Sequence, residues 1–175
     1  MSEPTGLRSL CEKFRGAGTP LPQRSSWGAI LTTSLLAGAV VAGLAYATSH
    51  LSYVLLLGTF AASSLLTFAY PDTPFSQPRN TVVGHLLGTA AGLACLHGLG
   101  PEWWSAGLAV GLAVALMKAT RTVHPPASSN PLIVFAFKPS WGFLLFPTFV
   151  GAVLIVIVAL FVHNLRRPTR WPQYW

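Results

Sequence analysis

The sequence has 175 residues, of which 52% are hydrophobic and only 9% are charged, and its formal net charge is +7. Soluble domains carry about 25% charged residues, so this composition excludes an ordinary soluble protein. The acidic residues Glu3, Glu12, Asp72 and Glu102 form no neighbouring pair, which excludes carboxylate-pair catalysis and carboxylate-rich Ca²⁺ or Mg²⁺ sites.

Long uncharged stretches separate the few charges. No Lys, Arg, Asp or Glu lies between Arg24 and Asp72, nor between Lys138 and Arg166. A helix of about 20 apolar residues can cross a bilayer, whose lipid offers the backbone no hydrogen-bond partner. We therefore predict an all-α polytopic membrane protein. Its basic residues flank the membrane segments, and no nucleic acid is expected as a partner.

Residues 1–24 form a basic N-terminal segment, expected in the cytoplasm. Within it Leu7, Leu10, Cys11 and Phe14 recur at helical spacing, which is typical of an amphipathic helix on a membrane surface. The alternative for this segment is a disordered tail. A single transmembrane domain is predicted over 25–165, followed by a basic and aromatic C-terminal tail over 166–175.

Four long transmembrane helices and two interrupted segments are predicted in the transmembrane domain. The long helices cover Trp27–Ala47, Asn80–Leu99, Trp103–Ala119 and Trp141–His163. The interrupted segments, Tyr53–Tyr70 and 124–137, contain serines or prolines that are unfavourable within an apolar helix. Pro71, Pro74 and Pro78 are expected to exclude a helix through Asp72–Arg79.

The two interrupted segments resemble each other. Ala62-Ser63-Ser64 before an apolar run is echoed by Ala127-Ser128-Ser129, so the halves 25–100 and 101–165 are interpreted as a 3+3 inverted repeat. Both termini are predicted to be cytoplasmic because both are basic, with Arg8, Lys13, Arg15 and Arg24 at one end and Arg166, Arg167 and Arg170 at the other. The loops at 48–52 and 100–102 lack Lys and Arg and are expected on the far side, whereas Arg79, Lys118 and Arg121 are expected on the cytoplasmic side. The rival layout has four crossings, with both interrupted segments re-entrant or in loops.

Three motifs together resemble the HPP family of integral membrane proteins. They are Arg121-Thr122-Val123-His124-Pro125-Pro126-Ala127, Ser76-Gln77-Pro78-Arg79-Asn80 and Gly84-His85, and the likeness covers roughly residues 50–160. Members are usually described as having four membrane helices, and plastid and cyanobacterial relatives are associated with nitrite transport. The resemblance implies a transporter or channel for a small inorganic anion, with nitrite as the expected substrate. Members commonly carry Gly-Gly where this sequence has Ala127-Ser128, which leaves the substrate preference open.

The candidate substrate pathway consists of polar residues at the interruptions and their flanks. They are Ser63, Ser64, Arg79, Asn80, His85, Arg121, His124, Ser128, Ser129 and Asn130. The motif residues Gln77, Pro78, Pro125, Pro126 and Pro131 are assigned structural roles. Hydroxyls, arginine forks and the amides of a restarting helix can replace the water that an anion loses, and the two serine pairs are expected to face each other. Alternatively, the serines bond the backbone, the arginines anchor at headgroups, and His124 caps a helix.

No catalytic residue, cofactor or metal site is predicted. His85 and His97 lie at opposite ends of one helix, and the sequence has no Gly-x-Ser-x-Gly motif. The protein is therefore expected not to be an enzyme. The expected partners are the lipid bilayer, a small anion such as nitrite and further copies of the chain in a homo-oligomer, in a bacterial inner membrane. The alternative function is a non-transporting membrane scaffold or assembly protein.

Glycine and tryptophan recur at informative positions. Gly84, Gly88 and Gly92 share one helix face, which favours close packing, including packing between subunits. The tryptophans near the predicted span ends are typical of an interfacial aromatic belt: Trp103, Trp104, Trp141, Trp171 and Trp175.

Overall fold

The structure is a computed structural model that describes residues 19–50 and 57–175. These residues form helices and contain no strand, which confirms the all-α prediction over the described part. The α-helices are α1 (Trp27–His50), α2 (Gly58–Ala69), α3 (Pro78–Leu99), α4 (Trp103–Ala119), α5 (Asn130–Phe137) and α6 (Val150–Arg166). Short 3₁₀ turns cover Pro74–Ser76, Pro125–Ser129 and Trp141–Leu144, and a wider turn covers Leu145–Phe149. The predicted amphipathic helix and residues 53–56 lie outside the described residues.

The chain divides into two compact units, residues 1–30 and 31–175. In the first unit the Ser26 hydroxyl accepts a hydrogen bond from the Ala29 amide at 3.2 Å, which caps the start of α1. The Arg24 guanidinium lies 4.4 Å from the centre of the Trp27 ring. The second unit contains the rest of α1 and all of α2–α6.

Three of the described helical stretches are long and apolar enough to cross a membrane: α1, α3 and the stretch Trp141–Arg166 that ends in α6. The fourth predicted long span, α4, has the predicted bounds but only 17 residues. α3 begins at Pro78, so the expectation of no helix through Asp72–Arg79 is wrong at its end. Proline fits the first position of a helix, where its missing N–H would have no partner in any case.

The segment predicted to be interrupted at Ser63 and Ser64 is a regular helix, α2. The Ser63 hydroxyl lies 3.0 Å from the Thr59 carbonyl oxygen one turn earlier, so a polar group in mid-helix finds a partner without breaking the backbone ladder. The interpretation of this segment as a serine-rich break is therefore wrong. The second interruption is real, since the turn Pro125–Ser129 separates α4 from α5.

The glycine face of α3 fixes the path of the chain between α4 and the far end of α5. A Cβ atom on Gly84 would lie 2.7 Å from the His124 Cβ, and one on Gly92 would lie 2.8 Å from the Pro131 Cα. At the end of α3, the His97 Nε2 lies 3.1 Å from the Pro139 carbonyl oxygen. The segment 124–139 therefore runs alongside α3 in the same direction. The glycines serve close packing, as predicted, but within the chain.

The two short helices α2 and α5 begin at the same level, about halfway along α3. The Asn130 side chain, at the first residue of α5, donates to Thr89 Oγ1 at 2.9 Å. Thr59, at the start of α2, donates to Asn130 Oδ1 at 2.9 Å. From this level α5 runs towards His97, whereas α2 runs in the opposite direction, towards the turn before α3.

The basic loops of the second unit meet at one end, which we call the basic end (Arg79, Lys118, Arg121 and Arg167). The Arg79 guanidinium donates to the Thr120 carbonyl oxygen at 3.0 Å. The Arg167 guanidinium forms an ion pair of 2.6 Å with Asp72. The loop charges predicted that these basic loops lie on the same side of the membrane, and this grouping agrees with that prediction. The side of the membrane on which the basic end lies stays a prediction.

The C-terminal tail packs on the turn before α3. Trp171 is 1% exposed, and its indole N–H donates to the Pro71 carbonyl oxygen at 3.0 Å. Its ring packs with Phe68 and Ala159. The placement of Trp171 in an aromatic belt is therefore wrong, because its ring is buried and its N–H bonds the Pro71 carbonyl instead of the headgroup region. Gln77 ties the same turn together, since its side-chain amide donates to Pro71 and Thr73 and accepts from the Gln173 amide.

Impermeant-thiol labelling of vesicles tests whether 124–139 crosses the membrane. The exposed residues Pro74, Glu102 and Lys138 are changed to Cys one at a time in a Cys11→Ser background, and buried Cys95 is retained. Because 124–139 follows α3 from the basic end to the opposite end, Pro74→Cys is expected to react from one side and the other two from the opposite side.

Permeabilised vesicles, in which all three thiols should react, are the control. Reaction of Lys138→Cys from the Pro74 side would establish the re-entrant layout instead.

Candidate functional site

Seven polar side chains form one hydrogen-bonded cluster in the interior of the second unit, which we call the polar cluster. None is more than 7% exposed. The members are Thr59, Ser63, His85, Thr89, His124, Asn130 and Thr148. They come from α2, α3, α5 and the turns that precede α5 and α6, so the cluster joins most elements of the unit.

Ser63 lies at the centre of the polar cluster. Its hydroxyl oxygen lies 2.8 Å from His85 Nε2 and 2.9 Å from His124 Nε2. The two imidazole ring centres are 5.0 Å apart. One hydroxyl thus bridges two histidines that are far apart in the sequence.

The neighbouring carbonyl groups fix where the hydrogens lie. His124 Nδ1 is 2.7 Å from the Phe75 carbonyl oxygen, which can only accept, so this nitrogen carries a hydrogen. Asn130 Nδ2 is 3.1 Å from the His85 carbonyl oxygen, which orients the amide with its nitrogen towards His85. The same Nδ2 is 3.0 Å from His85 Nδ1, which must then accept, so His85 carries its hydrogen on Nε2.

Local packing determines how His85 and His124 are buried. Because Gly84 has no side chain, His124 can pack directly against α3 at this position. Gly84 is the residue before His85 in that helix. The Phe60 ring meets the His85 ring edge-on, with the centres 5.0 Å apart. The cluster therefore depends on a glycine at position 84 and an aromatic ring at position 60.

The electrostatics of the polar cluster are those of neutral donors and acceptors. In the described ranges no carboxylate contacts it, since Asp72 pairs with Arg167 and Glu102 lies beyond the far end of α3. Among the same residues, no group of three His, Cys, Asp or Glu side chains is arranged to hold a metal ion. The polar cluster therefore consists of hydroxyl, imidazole and amide groups, which pair with one another by hydrogen bonds.

The structure brings four of the ten predicted pathway residues together: Ser63, His85, His124 and Asn130. The expectation that the two serine pairs face each other is wrong. The Ser128 hydroxyl turns back to the Pro125 carbonyl at 2.7 Å within the 3₁₀ turn, and Ser129 is exposed. Asn130 points inward in their place.

The remaining predicted residues lie elsewhere. Ser64 is fully buried, and its hydroxyl has no hydrogen-bond partner in the described part of the chain. Arg79 and Arg121 are exposed at the basic end. Asn80 is buried there, where it donates to the Val123 carbonyl at 2.9 Å and accepts from the Tyr174 hydroxyl. It therefore ties loops together and does not reach the polar cluster.

The prolines assigned to structural roles lie at helix or turn starts. Pro78 begins α3, Pro125 and Pro126 begin the 3₁₀ turn, and Pro131 is the second residue of α5. Each position suits a residue without an N–H. His124 precedes the turn, but its side chain bonds Phe75 and Ser63 and does not cap the turn.

Sequence reasoning missed three threonines of the polar cluster. Thr59 lies one turn before Ser63 in α2, and Thr89 lies one turn after His85 in α3, so helical periodicity around the predicted residues would have found both. Thr148 has no such signal, because it follows an irregular turn; its hydroxyl lies 3.1 Å from that of Thr89.

Comparison with known proteins identifies the family. The family model described as HPP, transmembrane region, matches residues 22–172. The chain belongs to the HPP family. This confirms the resemblance seen in the motifs, and with the three candidate spans it identifies an integral membrane protein. In this HPP-family chain the histidine of the His-Pro-Pro motif is His124, a member of the polar cluster.

Two relatives are proteins of Dictyostelium discoideum that are named only as transmembrane proteins. They are 34% and 35% identical to this chain over 128 and 130 residues, which is 69% and 70% of this chain. The matches cover 45% and 42% of the relatives, so the chain spans less than half of their length. No solved structure matches the chain.

Alanine at Gly88 tests the close packing that positions the polar cluster. A Cβ atom there would collide with the Ala127 carbonyl oxygen, which is backbone and cannot rotate away. We expect Gly88→Ala to destabilise the fold by roughly 1–3 kcal/mol, measured as a lower unfolding temperature in detergent.

Gly111→Ala in α4 is the matched control, because a Cβ atom there meets nothing within 4 Å. It should be neutral or stabilise by up to about 1 kcal/mol. Equal unfolding temperatures for the two variants would contradict the packing described.

Proposed function

We propose that this HPP-family membrane protein moves a small inorganic anion across the bilayer, with nitrite as the expected substrate, and that the polar cluster forms the narrow part of the pathway. The observation that carries the proposal is a fully buried set of hydroxyl, imidazole and amide groups at the level where α2 and α5 begin. A core that served packing alone would be filled by apolar side chains, since buried polar groups cost free energy unless they are paired.

The positive ends of two short helices support this proposal. α2 and α5 begin at the polar cluster and run in opposite directions, and in the described chain neither Leu57 nor Ser129, the residues before them, gives a side-chain cap. The partial positive charge at a helix N-terminus favours an anion, and discontinuous helices that begin at mid-membrane serve this purpose in other transporters. Both helix dipoles therefore raise the potential at the same level.

Unpaired hydroxyls beside the polar cluster supply further donors for an anion. Thr67 lies one turn after Ser63 in α2, and Thr81 lies one turn before His85 in α3, so both are displaced towards the basic end. Each is fully buried and, like Ser64, has a hydroxyl without a partner in the described part of the chain. Donors that are not already engaged can replace the hydration shell of an anion.

The basic end supports the capture of anions at the mouth of the pathway. Arg79 and Arg121 are exposed, the first bonding the Thr120 carbonyl and the second directly following Thr120 in the chain, and Asp72 is neutralised by Arg167. Positive potential at a mouth raises the local anion concentration. Arginine forks also match the two oxygens of nitrite, so both arginines are proposed to bind the anion before it reaches the polar cluster.

The proposal includes the membrane topology. Six crossings in a 3+3 inverted repeat, with both termini in the cytoplasm of a bacterial inner membrane, agree with the opposite directions of α2 and α5. A homo-oligomer is also proposed, because α1 leaves large apolar side chains such as Leu31, Leu35 and Tyr46 more than half exposed. The protein acts as a transporter and not as an enzyme in this proposal.

Serine-to-alanine variants test the role of the polar cluster. Ser63→Ala removes the hydroxyl that bridges the two histidines and is expected to lower nitrite uptake into proteoliposomes by at least about tenfold, since two imidazoles lose their shared partner. Uptake is measured as initial rates at equal protein content.

Ser105→Ala is the matched control for Ser63→Ala, because Ser105 is also fully buried but bonds the Cys95 carbonyl, away from the polar cluster. It should transport like the wild type. Equal rates for the two variants would remove the polar cluster from the pathway. A wild-type rate equal to that of protein-free vesicles would favour the scaffold function.

Glycine at Arg121 separates anion capture from backbone strain. Arg121 has a φ of 56° at the end of α4, where its amide and that of Thr122 bond the carbonyls of Lys118 and Met117. Glycine is the usual residue in this left-handed position. We expect Arg121→Gly to stabilise the fold by about 1 kcal/mol and yet to raise the KM for nitrite.

Lys138→Gly is the matched control, because Lys138 has a φ of 48° at the opposite end of the unit. It should stabilise the fold to a similar degree and leave the KM unchanged. An unchanged KM in Arg121→Gly would reduce that arginine to a topological anchor.

A further inference from the structure

We propose that His85, Ser63 and His124 form a binding site for one proton, and that this proton crosses the membrane together with the anion as an electroneutral symport. The inference rests on the proposed function and adds the coupling ion to it. It follows from the number of hydrogens and acceptors around the Ser63 hydroxyl.

In the neutral state each polar hydrogen of the two imidazoles and of Ser63 is donated to one acceptor. His85 Nε2–H donates to Ser63 Oγ, the Ser63 hydroxyl donates to His124 Nε2, and His124 Nδ1–H donates to the Phe75 carbonyl. Asn130 donates to His85 Nδ1. Both imidazoles are then uncharged, and every ring nitrogen has a partner.

The geometry also accommodates one additional proton. When a proton binds to His124 Nε2, this N–H donates to Ser63 Oγ, and the hydroxyl hydrogen rotates to the Thr59 carbonyl oxygen at 3.0 Å. The oxygen of Ser63 then accepts from both imidazoles through its two lone pairs. In both states every hydrogen of the two imidazoles and of the Ser63 hydroxyl has an acceptor. The only covalent bond of the protein that changes is the new N–H bond on His124.

A second proton is unfavourable at this site. The ring centres of His85 and His124 are 5.0 Å apart, so two imidazolium charges would repel each other inside a low-dielectric core. His85 Nδ1 is in addition occupied by the Asn130 amide. The pair therefore binds only one additional proton.

The elements packed around the pair bring no carboxylate to it in the described ranges. α2 and α5 face it with Thr59 and Asn130, and the turn before α3 faces it with the Phe75 carbonyl. The turn before α6 brings only the Thr148 hydroxyl, which lies beside Thr89. The other ionisable side chains of α3, α4 and α6 lie away from the pair. Arg79 donates to the Thr120 carbonyl, and His163 lies within hydrogen-bond distance of the Thr67 carbonyl. Cys95 is buried and His97 is exposed towards the end of α3, while Lys118 at the basic end and Arg166 are exposed.

The charge of the bound proton is therefore left without a counter-ion from the described part of the protein. An isolated buried charge is costly, and the anion that enters the polar cluster supplies the opposite charge. Proton and anion then stabilise each other at the same depth, and each raises the affinity for the other by the same factor. This reciprocity is the physical basis of the proposed coupling.

Initial rates of nitrite uptake into proteoliposomes test the coupling, with the membrane potential clamped by potassium and valinomycin and the pH difference varied independently. Protein-free vesicles supply the baseline, because nitrous acid crosses lipid unaided. We expect the protein-dependent rate to rise by up to about tenfold with a tenfold inward proton gradient and to ignore the clamped potential, since one proton accompanies each anion. His124→Gln should lose this response to pH, and Ser105→Ala should retain it.

Uptake that follows the potential and ignores the pH difference would overturn the proton site and leave anion transport intact. Absence of protein-dependent uptake would contradict both proposals.

A second measurement is independent of transport and of mutant folding. Nitrogen NMR of the ¹⁵N-histidine-labelled wild type in the presence of nitrite should show that acidification converts His124 Nε2 from an acceptor to a donor while His85 Nε2 remains a donor. Absence of this one-proton change over the pH range in which the protein stays folded would contradict the proposed site.

Discussion

The close contact between the glycine face of α3 and the backbone of 124–131 is the constraint on which the rest of the structure depends. Three glycines one turn apart remove the side chains that would hold the two segments apart. The irregular turn Pro125–Ser129 can then pack against α3 with Ala127 fully buried, so that this part of its polar backbone is covered by the protein and not by lipid. Without this contact neither His124 nor Asn130 would reach the polar cluster.

The polar cluster follows from that contact. Once His124 lies against Gly84, its imidazole is within hydrogen-bond distance of Ser63, and Asn130 is placed between Thr59 and Thr89. Polar groups in an apolar core are stable only when they satisfy one another, and here side chains from four parts of the chain do so. The same arrangement provides the donors that an anion needs and a place where one proton can reside.

The sequence predicted the helical class and the bounds of α4, and it predicted α1 and α3 to within a few residues, because runs of apolar residues bounded by charge or proline are strong local signals. The predicted last helix, Trp141–His163, is wrong at its start, since turns cover Trp141–Phe149 and α6 begins only at Val150. Phe146 is extended there, as the residue before a proline tends to be. The sequence also identified four members of the polar cluster through motif and position. The predicted helix break at Ser63 is wrong, because serines in an apolar run weaken the expectation of a helix. The contacts of the Ser63 hydroxyl to His85 and His124 join residues distant in the sequence and have no local signature. Trp171 was misplaced for the same reason, since its acceptor at Pro71 is brought to it only by the fold.

In the proposed function the chain itself provides a selective path for a small anion. The most direct measurement is the concentration dependence of nitrite uptake by the purified wild-type protein in vesicles. The expected rate lies above that of protein-free vesicles and saturates as the buried donors become occupied. A rate that equals the protein-free rate at every concentration would contradict the proposed function.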